Sequence, residues 1–193
     1  VGAEPIDQPR GEDGSHGAVP NVPLVGRSVQ VQELLWVLTA ATGRGAGRVV
    51  ALEGEAGIGK TLLLEETLAR AEALGFRCFV GGAEELERHR PFGALAEALG
   101  IGRRGRRHGS PLAGEDDRRA RVAGLLTAGV RPGAAAVLGP AEAEFRIVDA
   151  IADFVEHLCA GGPVVVALED LQWADPSTLL ALNCLGREIS RLP

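Results

Sequence analysis

No stretch of this 193-residue sequence reaches the roughly 18 consecutive apolar residues that a membrane span needs. The N-terminal VGAEPIDQPRGEDGSHG also lacks the apolar centre of a secretion signal, so the chain reads as cytoplasmic with no membrane partner. Cysteine is scarce and scattered. Cys78, Cys159 and Cys184 lie in apolar contexts without metal-ligand or redox spacing, which predicts buried free thiols in a reducing cytoplasm. The four histidines stand among polar residues and read as solvated side chains. There is no basic excess either. A net charge of −6 excludes wholesale wrapping of nucleic acid or of an anionic membrane. The run Arg103, Arg104, Arg106, Arg107 has no interleaved aromatics and is soon followed by acids, so a solvated loop is favoured over a phosphate-docking patch. Lysine is the rarest of the charged residues. Of 20 basic residues 19 are arginine, and Lys60 is the one exception.

What is present is one domain's worth of alternating strand and helix patterns. Residues 1–22 are rich in glycine, proline and acids and read as a disordered arm, with the domain running over 23–193. Val31, Leu34, Leu35 and Leu38 share one face of a helix. Val49 to Leu52 reads as a strand, Thr61 to Leu74 as a helix stopped by Gly75, and Phe76 to Val80 as a second strand. Pro91 opens a short helix to about Leu99. A flexible insertion spans about 102–140, with one helix near 116–128. Phe145, Val148, Ile151, Val155 and Leu158 then mark an amphipathic helix that Gly161-Gly162 ends. Val164 to Leu168 is an apolar run of the kind found in strands covered on both faces. Asp175-Pro176 starts a final helix that reaches about Ile189. This alternation predicts an α/β fold around a parallel sheet.

Gly54-Glu55-Ala56-Gly57-Ile58-Gly59-Lys60-Thr61 matches the phosphate-loop pattern G-x-x-x-x-G-K-S/T in full. Phosphates need several N–H donors converging on one point, and only a loop with few side chains in the way can wrap that closely. Gly54 and Gly59 permit the unusual dihedrals, with Gly57 adding freedom at the crown. The helix that follows turns its positive end toward the phosphates. Lys60 supplies a compact charge between β- and γ-phosphates, and the Thr61 hydroxyl can hold Mg²⁺. That the only lysine stands here strengthens the reading, because arginine's planar fork is no substitute for a point charge. Gly54, Glu55, Ala56, Gly57, Ile58, Gly59, Lys60, Thr61 and Leu62 are therefore the candidate nucleotide-binding residues.

Glu169 and Asp170 end the apolar run at 164–168, where a P-loop enzyme needs acids near its metal. One would reach Mg²⁺, directly or through water, and the other would orient or deprotonate the attacking water. The usual order puts aspartate first. Here Glu169 comes first, so which acid serves the metal stays open, and Lys60, Glu169 and Asp170 form the candidate catalytic set.

The segments PLVGRSVQVQEL, VVALEGEAGIGKTLLLEE and VVVALEDLQWADPSTLLAL resemble the ATPase module of large ATP-binding LuxR-type transcriptional regulators. These belong to the STAND branch of P-loop ATPases, related to the AAA class. The resemblance covers roughly 23–100 and 141–190. It implies a three-layer α/β/α P-loop NTPase with a parallel sheet in strand order 5-1-4-3-2, truncated here before the fourth, sensor-bearing strand. It implies ATP and Mg²⁺ as ligands, with ADP as product. It also implies DNA contact only through a C-terminal domain absent from this sequence, and self-association of the full-length protein. By resemblance the VGR segment lies along the adenine, which makes Val25 and Arg27 base or ribose neighbours; from chemistry alone Arg27 suits a surface position equally well. Trp173 is expected to pack under the last helix and Asp175 to serve as its N-cap. Without the fourth strand, the P-loop and acidic strands must pair directly or leave open edges, so hydrolysis by these residues alone is doubtful. Rival readings are a small-molecule kinase, a binding-only scaffold, and the same module attached to another output such as a nucleotide cyclase.

Overall fold

In a computed structural model the described residues are 26–44, 47–101, 106–107, 113–130 and 139–189. Val25, the arm at 1–22, Arg103 and Arg104 lie outside them. Two helices precede the first strand: α1 (Ser28–Arg44) and α2 (Lys60–Ala73). Helix α2 ends as its sequence predicts. Gly75 takes φ 88°, and the amides of Gly75 and Phe76 turn back to the carbonyls of Glu72 and Ala71. Strand β1 (Arg77–Gly82) follows at once, so α2 and β1 run antiparallel. Next come a 3₁₀ turn (Glu85–Glu87), α3 (Gly93–Ala98), the two-residue β2 (Arg106–Arg107), α4 (Glu115–Val130) and α5 (Pro140–Ala160). Strand β3 (Val164–Glu169), a second 3₁₀ turn (Leu171–Trp173) and α6 (Pro176–Glu188) complete the order.

The described sheet has the order β2-β1-β3. β1 and β3 are parallel over their full length, from Arg77 opposite Val164 to Gly82 opposite Glu169. Side-chain alternation divides the core into two layers. On one face Phe79 packs with Phe92, Leu95, Ile151, Phe154 and Leu158, backed by Val164, Val166 and Leu168 of β3. On the other, Cys78 packs with Leu68, Ala71, Phe76 and Ala167, backed by Val80 and Val165. Helices α3 to α6 cover the first face and α1 and α2 the second, which is the three-layer α/β/α arrangement of a P-loop NTPase. Gly81 is required for this packing. A Cβ there would stand 2.5 Å from the Ala94 carbonyl oxygen and 2.6 Å from the Ala98 nitrogen, so α3 rests directly on the strand.

Several expectations need correction. Val49 to Leu52 makes no sheet ladder among the described residues, and Val49 and Val50 are 68% and 48% exposed. A strand forms only where a neighbour takes up its backbone groups, and no described strand flanks this segment. β3 is covered on both faces, with Val164, Val166 and Leu168 turned to one core layer and Val165 and Ala167 to the other. Only Ala167 in it is buried, because β3 is the last described strand of the sheet and pairs along one side only. Part of the arginine run is strand rather than loop: Arg106 and Arg107 pair antiparallel with Val80 and Phe79 on the outer edge of β1. Phe145 is 53% exposed, since the buried stripe of α5 passes instead through Ile147, Val148, Ile151, Phe154, Val155 and Leu158. His157 is only half-exposed, with its Nε2 shut away from solvent. Within 102–140, α4 packs along α5 and buries Val122, Glu115 and Arg119.

Candidate nucleotide site

α2 returns the chain to the start of β1. Its 14 residues and the six of β1 both span about 20 Å. The N-terminus of α2 therefore emerges at the same end of the domain as the C-termini of β1 and β3. The phosphate loop and the Glu169-Asp170 pair share that end.

The loop holds its own shape. Gly57 and Gly59 take φ 77° and 91°, conformations that a side chain would strain. The Lys60 ammonium donates to the carbonyls of Gly54 and Glu55, each at 2.9 Å, and so closes the loop across its mouth. The Ile58 amide leans toward the Glu55 carbonyl at 3.4 Å. Helix α2 starts at Lys60 behind Gly59 with no side-chain cap. Among the described residues nothing accepts from the backbone N–H groups of Gly57, Gly59, Lys60, Thr61 or Leu62. Five donors beside a lysine at a helix N-terminus fit a polyphosphate, and the fit lies in the backbone itself. Glu55, Ala56 and Thr61 are exposed, and Leu62 is half-buried behind the loop.

Arg27 reaches the loop. Its Nη2 donates to the Ile58 carbonyl at 2.8 Å, tying the start of α1 to the loop crown. That contact is to protein backbone and leaves the adenine expectation for Arg27 as it was.

The acids are held differently. Glu169 is the last residue of β3, half-buried, and its carbonyl accepts from the Ala83 amide at 3.1 Å. Asp170 follows at φ 54°, exposed, with Oδ1 accepting from Gln172 Nε2 at 3.0 Å. Among the described residues no hydrogen bond or ion pair joins either carboxylate to Lys60 or Thr61. The two carboxylates and the Thr61 hydroxyl can supply a hard cation with oxygen ligands. The described residues contain no cluster of three or more histidine, cysteine or acidic side chains that would hold a metal unaided. An open groove of about 730 Å³ runs along the outer face of α1 by Val29, Glu33 and Trp36, and no loop or acid residue lines it.

Two tertiary features, one beside the acids and one at the opposite end of β1, had little or no signal in the sequence. Asp175 caps α6 through the Thr178 amide, as its Asp-Pro pattern predicts, but it also accepts from the amides of Phe92 and Gly93. Glu115 on α4 bridges Arg77 at 2.6 Å and Arg119 at 2.5 Å, and Arg119 also donates to the Leu99 carbonyl. Both guanidiniums lie over aromatic rings, Arg77 over Phe79 and Arg119 over Phe154. No spacing rule reveals a triad whose members stand 38 residues apart.

A family model described as an AAA ATPase domain matches residues 23–193. An uncharacterized protein of Rhizobium meliloti (strain 1021) is 31% identical over 196 residues, covering 89% of this chain. The chain spans 18% of that relative's length. No solved structure gives a significant match. Among the described residues no helix is long and apolar enough to cross a membrane.

Proposed function

Because this chain belongs to the AAA ATPase domain family, we propose that it is the ATP-binding switch module of a cytoplasmic LuxR-type transcriptional regulator. The observation that carries nucleotide binding is the loop: a lysine clamped by two carbonyls beside five uncommitted backbone donors. The regulator context rests on the resemblance of the VGR, EAGIGKT and LEDLQWADPS segments. DNA contact and self-association belong, on this reading, to the whole protein.

Lys60 and the backbone N–H groups of Gly57, Gly59, Lys60, Thr61 and Leu62 bind and orient the β- and γ-phosphates. The Thr61 hydroxyl with Glu169 or Asp170 would hold Mg²⁺, which supplies charge neutralisation at the phosphate oxygens. The acid not engaged with the metal accepts the proton of the attacking water or orients it. Arg27 keeps the loop crown in place through the Ile58 carbonyl. ATP holds one conformation of the module, and slow hydrolysis releases it.

Calorimetry on the intact protein tests this. Lys60→Ala is expected to abolish ATP binding, and an unchanged affinity would sink the proposal. Glu169→Gln and Asp170→Asn should spare binding and impair turnover.

A further inference from the structure

We propose that Asp175 is a positioning residue: it fixes the turn that carries Glu169 and Asp170 and couples it to the Pro91-Phe92-Gly93 turn. The catalytic part of this proposal rests on reading the site as an ATP-hydrolysing one.

Asp175 is 4% exposed and accepts four hydrogen bonds from two segments far apart in the chain. Its Oδ1 takes the amides of Phe92 and Thr178, both at 2.9 Å. Its Oδ2 takes the Gly93 amide at 3.2 Å and the Thr178 hydroxyl at 2.6 Å. A helix cap needs only the bond from Thr178 N. The other two amides belong to the N-terminus of α3, Phe92 as its N-cap and Gly93 as its first residue, 83 and 82 residues earlier.

The acid turn is thereby anchored at both ends to one stretch of chain. At its start, the Ala83 amide donates to the Glu169 carbonyl at 3.1 Å. At its end, Asp175 holds Phe92 and Gly93. Between lies a single 3₁₀ turn, closed by Trp173 N to the Asp170 carbonyl at 2.8 Å and Ala174 N to the Leu171 carbonyl at 3.1 Å. Strain marks the same two places. Among the described residues only Phe92 and Asp170 are non-glycine positions with positive φ, at 59° and 54°. Such backbone persists only where its surroundings over-determine it, and here each strained residue sits in a turn that Asp175 ties down. Moving the acids therefore moves residues 83–93. Their middle, from Glu84 to Arg90, is exposed and mostly charged, so a change at the acids is carried to a surface where a partner can read it.

Asp175→Asn in the intact protein tests the proposal. Asparagine keeps the size and Oδ1 but removes the acceptor for the Gly93 amide. The Thr178 hydroxyl can turn to accept from the new amide, so folding is not the quantity under test. Turnover is expected to fall about tenfold or more, the scale of a misplaced catalytic group. ATP affinity should stay within about twofold of wild type, which separates positioning from binding. Amide exchange should quicken at Phe92 and Gly93 and in 170–174 together. Thr178→Val, which removes only the α6-side hydroxyl, should leave exchange at Phe92 and Gly93 and turnover as in wild type. If Asp175→Asn loosens the first turn of α6 alone, with turnover per folded molecule unchanged, Asp175 is a helix cap and the proposal falls. A wild-type protein that turns over no ATP would overturn the ATPase reading and the catalytic role. The joint exchange response would still decide the coupling of the two turns.

Discussion

Around the phosphate loop the contacts are short in sequence. Lys60 closes on carbonyls five and six residues back, and the farthest hydrogen bond to the loop itself among the described residues, from Arg27, spans 31 residues. Around the acids they are long: Asp175 reaches back 83 residues, and the strand carrying Glu169 stands in register with one that begins at Arg77. The loop is preceded by a segment with exposed valines and no ladder, while the acids rest on a paired strand and a buried core. One half of the site carries its geometry in its own residues. The other borrows it from the whole domain. Damage to the core should therefore misplace the acids before it disorders the loop, and damage to the loop should leave the core standing.

The sharpest test of that separation is Glu115→Ala. Glu115 is fully buried between two guanidiniums, and two nitrogens of Arg77, Nε and Nη1, are buried without partners among the described residues. Removing the carboxylate strands the Arg77 charge in a low-dielectric interior, while Arg119 keeps Asp116 at 2.7 Å, at a cost of about 3–5 kcal/mol. Denaturant unfolding should show that loss. ATP affinity measured on the folded fraction should be unchanged; a parallel loss of affinity would show that the loop depends on the core after all.

Arg27→Ala makes the reciprocal probe. It removes one exposed charge-assisted bond to the Ile58 carbonyl, worth about 1 kcal/mol, or roughly a fivefold loss of ATP affinity by calorimetry. The unfolding midpoint should move by no more than the equivalent of that same amount, about 1 kcal/mol and well short of the loss from Glu115→Ala, because nothing in either core cluster depends on this contact.

The same division explains how much could be read in advance. The loop, α2 and its Gly75 stop, β1, β3, α5 and the Asp175 cap all follow from local pattern, because turn chemistry and side-chain period act over a few residues. The strand expected at Val49 to Leu52 has the composition but no neighbour among the described residues, and composition does not report neighbours. The Arg77–Glu115–Arg119 triad and the Phe92 and Gly93 bonds to Asp175 are tertiary; charged residues in loops and on a helix surface look alike whether they end up solvated or buried. Phe92 gave no sign of its left-handed backbone, since the tertiary bond at its amide is what holds it there.

Cys78 gives a smaller and pH-dependent probe of the core half. Burial, with the nearby Glu72 carboxylate adding to it, raises its thiol from 9.0 to about 11. The unfolded chain then loses this proton more readily than the folded one. The contribution is fully present below pH 9 and is lost as pH rises toward 11. Unfolding followed across that window should show wild type losing stability more steeply than Cys78→Ala, with the two slopes equal below pH 9. Equal slopes throughout would mean that the thiol is not shielded as the packing around Ala71 and Phe76 requires.

The smallest expected effect probes the other half. Val49→Ala and Val166→Ala delete the same two carbon atoms, one on each side of the comparison. Val166 packs against the core from β3, and losing its methyl groups should cost roughly 1.5 kcal/mol. Val49 is 68% exposed, and its Cγ2 lies 3.8 Å from where a Cβ would stand on Gly186. Its truncation should stay within about 0.5 kcal/mol, the range of ordinary surface changes. Both values come from denaturant midpoints at constant slope, measured in the intact protein. A Val49 cost equal to that of Val166 would mean that 49–52 is packed against chain outside the described residues. The loop half would then draw on long-range structure as the acid half does, and the contrast between them would be one of degree.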